Sequence, residues 1–325
     1  MRRTAVLCCF LAAGAACSRG ASDEARPESR ARSFLSFGTA PPGGAFFVVG
    51  GALAEVLNAQ PEEGWNVTAE STSGSQENIR RLATGELDFA VSNASITYFA
   101  VRGAEGWDRA YPVRAVMTLA PNVTIFLTRA GSGIRTIADL RGKRVVVGPA
   151  GAGFEYFVRP LLAAHGVSYG DLTVLNATQA ASVDMLTDGS AAAVLLGGAV
   201  PTASVTQAAA AMDIFFVPFD EAAMSRLEQD YVFFDRVTVP ASTYRNQTAD
   251  FQGLDVGSVH VITSADQDPD VVYRVTKALY ENRDQVVQRH AAGNAINAGN
   301  VVRDTGTEFH PGAIRYYREI GIWPE

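Results

Sequence analysis

Residues 67–91 read VTAESTSGSQENIRRLATGELDFAV. The stretch around Val67 to Glu70 reads as a strand, and a polar turn with one glycine follows over residues 71–75. Ile79 and Leu82 then fall three apart on a helix that stops at Gly85, and Phe89-Ala90-Val91 begins the next strand. Ser73 with Gln76 three residues later predicts a capping box at the helix start. Strand, turn, helix, strand is the repeating unit of an α/β protein, in which a largely parallel sheet is expected.

The unit recurs on both sides. Upstream, Ser33–Gly38 reads as a strand, a glycine turn follows, and Phe46, Val49, Leu53, Val56 and Leu57 lie at helical spacing. Downstream, residues 144–148 form an apolar strand that feeds the turn PAGAG (149–153) and a helix to about His165. Residues 191–196, Ile214–Val217 and 256–263 read as further strands. Asp268-Pro269 and His310-Pro311 each open a helix with proline at its first position. Pro121 and Pro240 sit in extended stretches where the chain is expected to cross between two lobes. The expected division is 34–119 plus 240–325 for one lobe and 120–239 for the other.

Composition narrows the function. The chain has 325 residues, with 47% hydrophobic and 19% charged, the balance of a globular protein of about two cores. Lys plus Arg number 27 against 34 Asp plus Glu, for a net charge of −7, which disfavours nucleic acid as a partner. All three cysteines (Cys8, Cys9, Cys17) precede residue 18, so the body has no disulfide, thiolate metal site or cysteine nucleophile.

Met1-Arg2-Arg3 is a basic start, followed by an apolar run over residues 5–16. That run falls short of the roughly 20 residues a membrane-spanning helix needs, and it has the form of an export signal. Gly14-Ala15-Ala16-Cys17 resembles a bacterial lipoprotein box, which makes residues 1–17 a signal peptide and Cys17 the expected lipidation site. Ordinary cleavage nearby is the alternative. Residues 18–33 (SRGASDEARPESRARS) have nothing apolar larger than alanine or proline to bury and read as a flexible tether.

Catalytic and cofactor motifs are weak. Gly148, Gly151 and Gly153 lie between a strand and a helix, but the dinucleotide pattern wants glycine where Tyr156 stands. Gly142-Lys143 has Ile137 and Arg144 in place of the phosphate-loop residues. The chain contains no HExxH or SxxK. The four histidines are far apart: His165 and His290 are expected at helix C-termini as cations against the dipole, His260 in a strand, and His310 before a helix. No cofactor and no metal are expected. What remains is four turns, at 38–44, 71–75, 92–95 and 148–153, each where a strand delivers the chain to a helix. In open α/β sheets that edge binds ligands.

These residues resemble a known family, the TAXI-type solute-binding proteins, which serve as receptors of TRAP transporters. Phe37-Gly38-Thr39 with Gly43-Gly44 and the run GGALAE (50–55) is similar to the family's opening loop and helix. ESTSGSQEN (70–78) with LATGE (82–86) is its most specific signature. IADLRGK (137–143), residues 148–153, PASTY (240–244), TKALYEN (276–282) and HPGAIRYY (310–317) follow in order, so the likeness runs from about Phe37 to Ile322. It implies a two-lobed, periplasmic-binding-protein-like fold of type II, with mainly parallel sheets flanked by helices and a ligand cleft between lobes. It also implies a periplasmic, membrane-anchored receptor without catalysis, partnered by a TRAP-type permease and an inner or outer membrane. The ligand implied is a small organic anion; carboxylates, glutamate among them, are the family's known type.

The candidate ligand-binding residues are Thr39, Gly43, Gly44, Phe46, Ser73, Gly74, Ser75, Asn93, Gly151, Gly153, Phe154, Pro201 and Tyr244, with Phe46, Phe154 and Tyr244 as apolar walls. Backbone N–H groups near Gly44, over 73–75 and over 151–153 are expected to hold the anion. The chain departs from the family pattern at Ala45, Phe46, Ser95, Ala152, Phe154, Ala192, Leu195 and Leu196. Lost hydroxyls weaken a compact polar ligand and added carbon favours an apolar body, so an acid with a larger hydrocarbon part is expected over glutamate. Two other readings stay open. One is a hydrolase on the same scaffold, with Ser73 or Ser75 as nucleophile and no histidine near in sequence; the other is a sensor or interaction lipoprotein.

Overall fold

The structure, a computed structural model, describes residues 33–42, 44–104 and 106–324. Cys17, the signal peptide, the tether up to Arg32 and Gly43 lie outside the described residues. The elements begin with β1 (Ser33–Gly38), α1 (Ala45–Asn58), β2 (Trp65–Glu70), α2 (Ser75–Ala83), β3 (Phe89–Asn93), α3 (Ala94–Ala100) and β4 (Val113–Thr118). There follow β5 (Val123–Arg129), β6 (Arg144–Val146), α4 (Glu155–Ala164), β7 (Thr173–Leu175), α5 (Gln179–Asp188), β8 (Ala193–Gly198), α6 (Ala203–Ala211), β9 (Ile214–Val217) and α7 (Glu221–Asp230). The chain ends with β10 (Phe234–Val239), β11 (Phe251–Val256), β12 (Val259–Ser264), α8 (Pro269–Glu281), α9 (Arg283–Arg289) and α10 (Pro311–Glu319).

Two α/β sheets result. The first runs β2-β1-β3-β12-β4, and the second β10-β11-β5-β8-β6-β7 with β9 also paired to β5. The βα units give the parallel part: β1 with β2 and β3, and β6 with β7 and β8. The remaining pairs are antiparallel, among them β12 with β3 and β4, and β5 with β8, β9 and β11. The sheets are therefore mixed rather than mainly parallel. β5 and β12 each arrive from the other sheet without a helical crossover, and a strand entering that way can pair antiparallel.

The chain crosses between sheets over residues 119–122 and returns over 257–258. Pro121 lies in the first crossing. Pro240 instead separates β10 from β11, both in the second sheet. The run expected as one strand over 256–263 is split by Gly257 (φ 105°), a backbone conformation open to glycine and costly to other residues.

Each sheet is covered by helices on an apolar face. Leu53 and Leu57 of α1 pack with Phe37, Phe89, Tyr316 and Tyr317 over the first sheet. Val183 and Leu186 of α5 pack with Val205 of α6 and Ile125 over the second. A further core joins the two, bringing Ile79, Phe99 and Trp107 against Tyr156, Phe157, Leu161 and Phe233. Its rings are in edge and stacked contact, with Trp107 and Tyr156 stacked at 5.5 Å between centroids. Among the described residues no helix is long and apolar enough to cross a membrane.

Candidate functional site

All four turns picked out from the sequence reach one cavity. Ala40, Pro41, Pro42 and Gly44 come from the turn after β1, and Ser73, Gly74 and Ser75 from the turn after β2. Asn93 ends β3, and Pro149 and Ala152 lie in the turn after β6. Phe46, Ile96, Phe154 and Phe157 supply apolar wall. The cavity volume is about 70 Å3, several times what one enclosed water needs and enough for a compact or flat group.

Among the described residues, none that lines this cavity is charged. Anion affinity there would have to come from helix starts, and three reach it. Gly44 is the N-cap of the 14-residue α1, which has no side-chain cap and no acid in its first turn. Gly74 is the N-cap of the 9-residue α2, again with no side-chain cap. Thr178 caps the 10-residue α5 through its Oγ1, which accepts the Ala181 N–H at 3.3 Å. First-turn N–H groups have no intrahelical acceptor, and the helix dipole adds to them, so this arrangement favours an anion without a cationic side chain.

Ser73 does not form the expected capping box. It precedes the N-cap, and its N–H donates to Glu77 Oε2 at 2.8 Å. Burial pushes the Glu77 carboxyl up, but the bonds from Ser73 and the Arg81 guanidinium outweigh it and hold it below the usual range. Gly74 donates its own N–H to Thr72 Oγ1 at 3.1 Å, so the α2 donors left for a ligand begin at Ser75. With φ at 119°, Gly74 sits where a Cβ would lie 3.4 Å from Ala152 Cβ, and the turns of the two sheets meet there.

The other candidate residues divide. Ser75 Oγ accepts the Asn93 N–H at 3.0 Å, while Asn93 Oδ1 takes the Ser95 and Ile96 N–H groups and Nδ2 donates to Gly257 O. Both face the cavity with part of their polarity already used. Thr39 is 1% exposed and donates to Glu70 O at 2.7 Å, so it braces the first turn from behind. Gly151 and Gly153 do not line the cavity; Gly153 packs beside Ile96 and Tyr156. Tyr244 is buried in the second sheet's core, where its Oη accepts the Thr202 N–H at 2.8 Å, and it is not a wall. Pro201 lines an adjoining cavity of about 130 Å3 that shares Gln179 and Gly197 with the first and also contacts His290.

Several lining residues were not foreseen. Gln179, at the first turn of α5, is held by Nε2 donating to Gly197 O at 2.9 Å and Oε1 accepting from Ser204 Oγ at 2.6 Å. Asn122 lies on the first crossing, where its N–H donates to Asp255 Oδ1 at 2.9 Å. Asp255 is 1% exposed and also accepts from Ser258 Oγ at 2.6 Å, with Arg303 Nη2 at 3.5 Å. Burial raises its pKa to about 6, against the pull of the Ser258 hydroxyl, Arg303 and the Asn122 N–H.

No histidine lines the main cavity among the described residues, and no group of three His, Cys, Asp or Glu among them could hold a metal ion. His165 and His290 do end helices, α4 and α9, but burial lowers both pKa values. His165 Nε2 accepts the Asp220 N–H at 2.9 Å, which leaves Nδ1 as the donor to Leu161 O and the ring neutral. His260 is buried at Thr97, with Nε2 2.8 Å from Oγ1 and Nδ1 without a partner among the described residues; burial lowers its pKa to about 3.

Residues 37–321 match the model of the NMT1-like family. Among solved structures, one from Bordetella bronchiseptica RB50 is 13% identical, covering 91% of this chain and 90% of that one with a TM-score of 0.54. A Xanthomonas citri protein bound to chloride ion is 13% identical, covering 88% and 95% with a TM-score of 0.52. The periplasmic aliphatic sulphonate binding protein SsuA from Escherichia coli is 15% identical, covering 90% and 79% with a TM-score of 0.46. At these identities the likeness is one of fold.

Proposed function

The chain belongs to the NMT1-like family, and from that premise we propose that it is an extracytoplasmic solute-binding receptor that takes a small organic anion with an apolar body. The observation that carries this reading is the cavity itself: three helix starts from both sheets meet at one uncharged space walled by Phe46, Phe154 and Phe157. Neutral donors stabilise a carboxylate or similar head through dipole and hydrogen bonds, while the rings remove hydrocarbon from water at about 25 cal/mol per Å2. The two sheets form the lobes, and residues 119–122 and 257–258 are the hinge on which they close.

The receptor is of the TAXI type and delivers its ligand to a TRAP-type permease, as the signature over 70–86 suggests. Lipidation at Cys17 anchors it to a membrane on the periplasmic side. Calorimetry on straight-chain and phenyl-substituted carboxylic acids tests the ligand class. Affinity should rise with each added carbon until the cavity fills, and glutamate should bind poorly. Tight glutamate binding with no gain from added carbon overturns the proposed class. A Cys17→Ser variant that stays with the membrane fraction overturns the anchor.

A further inference from the structure

The cavity's polar side chains are nearly all spoken for by the protein. Asn93 Oδ1 is occupied by Ser95 and Ile96, Gln179 Oε1 by Ser204, and Thr178 Oγ1 by Ala181. Asn122 differs. It is 7% exposed and lines the cavity, yet its carboxamide makes no hydrogen bond among the described residues. A carboxamide on the cavity lining that no protein group engages is open to pair with what the cavity holds. Gly197 leaves it room, since a Cβ there would come within 3.4 Å of Asn122 Oδ1.

Its backbone, by contrast, is fixed. The Asn122 N–H donates to Asp255 Oδ1 at 2.9 Å and its carbonyl accepts the Val256 N–H at 3.2 Å, so the first crossing is bonded to β11 just before the second. The free carboxamide is therefore presented from a fixed point of the hinge. The helix starts around it only donate. A carboxamide both donates and accepts, and a hydroxyl on the ligand complements it because it does both on one atom.

We propose that Asn122 is a specificity-determining residue of the cleft, pairing with a hydroxyl carried by the bound acid, so that the preferred ligands are hydroxy acids. This rests on the cleft binding organic acids as proposed above. The matched probes are 3-phenylpropanoate and 3-phenyllactate, which differ by one hydroxyl beside the carboxylate. Calorimetry on the unmodified mature protein should give phenyllactate an advantage of about tenfold, the size of one or two hydrogen bonds made in place of none. In Asn122→Ala that advantage should fall to near unity through loss of phenyllactate affinity, with phenylpropanoate held within about twofold. Phenylpropanoate bound by the unmodified protein without a hydroxyl preference overturns this inference and leaves the cleft reading standing. A preference that survives in Asn122→Ala also overturns it. Failure of the unmodified protein to bind either acid removes the cleft reading itself. The comparison on the unmodified protein needs no variant to fold, and Asn122→Thr, which keeps one hydroxyl donor at the position, should retain part of the preference.

Discussion

Gln76 Nε2 on α2 donates to Tyr156 Oη on α4 at 3.0 Å, a side-chain bond from a helix of the first sheet to a helix of the second. Tyr156 is 3% exposed, and burial raises its pKa, so the hydroxyl stays protonated and available as acceptor and donor. Its ring is stacked on Trp107 and on Phe99 at 6.1 Å, which places the bond at the rim of the core shared by the two sheets.

Tyr156→Phe keeps both stacks and deletes the bond. Stability should drop by about 0.5–1.5 kcal/mol, as for one neutral hydrogen bond, and acid affinity should weaken because the closed arrangement loses a tie. Urea denaturation and calorimetry read the two effects separately. Unchanged values in both would mean the bond contributes neither to folding nor to closure.

Two buried groups should oppose each other in the acid range. His260 titrates near 3 in the fold against an ordinary 6.5, so its contribution to stability is present above about pH 6.5 and is lost as pH falls towards 3. Asp255 titrates near 6 against an ordinary 3.8, so its contribution is full below about pH 4 and is lost as pH rises through 6. A tenfold change in proton affinity corresponds to about 1.4 kcal/mol, which makes both contributions several kcal/mol at most. Between pH 4 and 6 Asp255→Asn should steepen the acid-side loss of stability, and His260→Gln should flatten it. Melting temperatures across that range check both signs; parallel profiles for the three proteins would contradict them.

Where the amino-acid sequence is readable, the chemistry is local. A strand that ends in glycine and serine and then becomes amphipathic has few alternatives, so the turns at 38–44, 71–75, 92–95 and 148–153 are each legible as a strand-to-helix connection on sequence pattern alone, three in the first sheet and one in the second. Asn122 and Gln179 carry no such mark. Asn122 follows a proline in a crossing, and its role depends on Asp255, more than a hundred residues away in sequence. Gln179 opens a helix whose apolar positions are weakly patterned, and it reaches the cavity only because β8 lies beside β5. The second crossing is hidden for a related reason. Phe251–Val256 and Val259–Ser264 are both apolar, and only Gly257 and Ser258 between them mark the break. Pro240 is the stronger signal in one dimension, but proline is also at home at the end of an edge strand, where β10 places it. Thr39 and Tyr244 belong with the residues the fold uses for bracing, a distinction that hydroxyl and ring chemistry do not reveal in a linear sequence.

Phe154 owes its place on the cavity wall to Gly148. With φ at 119°, a Cβ at position 148 would lie 2.6 Å from the Phe154 ring. Gly148→Ala should therefore cost about 1–3 kcal/mol through backbone strain and a displaced ring. Phe154→Ala should leave stability closer to wild type, because the ring is only partly buried, and should weaken apolar acids more than short ones. Calorimetry with acetate and 3-phenylpropanoate distinguishes the two: equal losses for both acids would place Phe154 outside the binding wall.

Ser73 and Ser75 should separate cleanly, although they flank the same glycine. The Ser73 N–H and hydroxyl both serve the Glu77 carboxylate, so its side chain is committed to the turn. Ser75 Oγ accepts from the Asn93 N–H at 3.0 Å, and its own proton has no acceptor among the described residues while the residue faces the cavity. That proton is the donor a carboxylate would meet at the start of α2, alongside the first-turn N–H groups. Ser75→Ala should lower affinity for 3-phenylpropanoate by about 1–2 kcal/mol, the range for a hydrogen bond to a charged group. It should also cost some stability, because the Asn93 N–H loses its acceptor. Ser73→Ala should change affinity by less than about 0.5 kcal/mol, the usual scale for a side chain that touches no ligand. Calorimetry on the two variants decides the matter: wild-type affinity in Ser75→Ala would confine that serine to holding β3, and a large loss in Ser73→Ala would move the anion one turn earlier than α2.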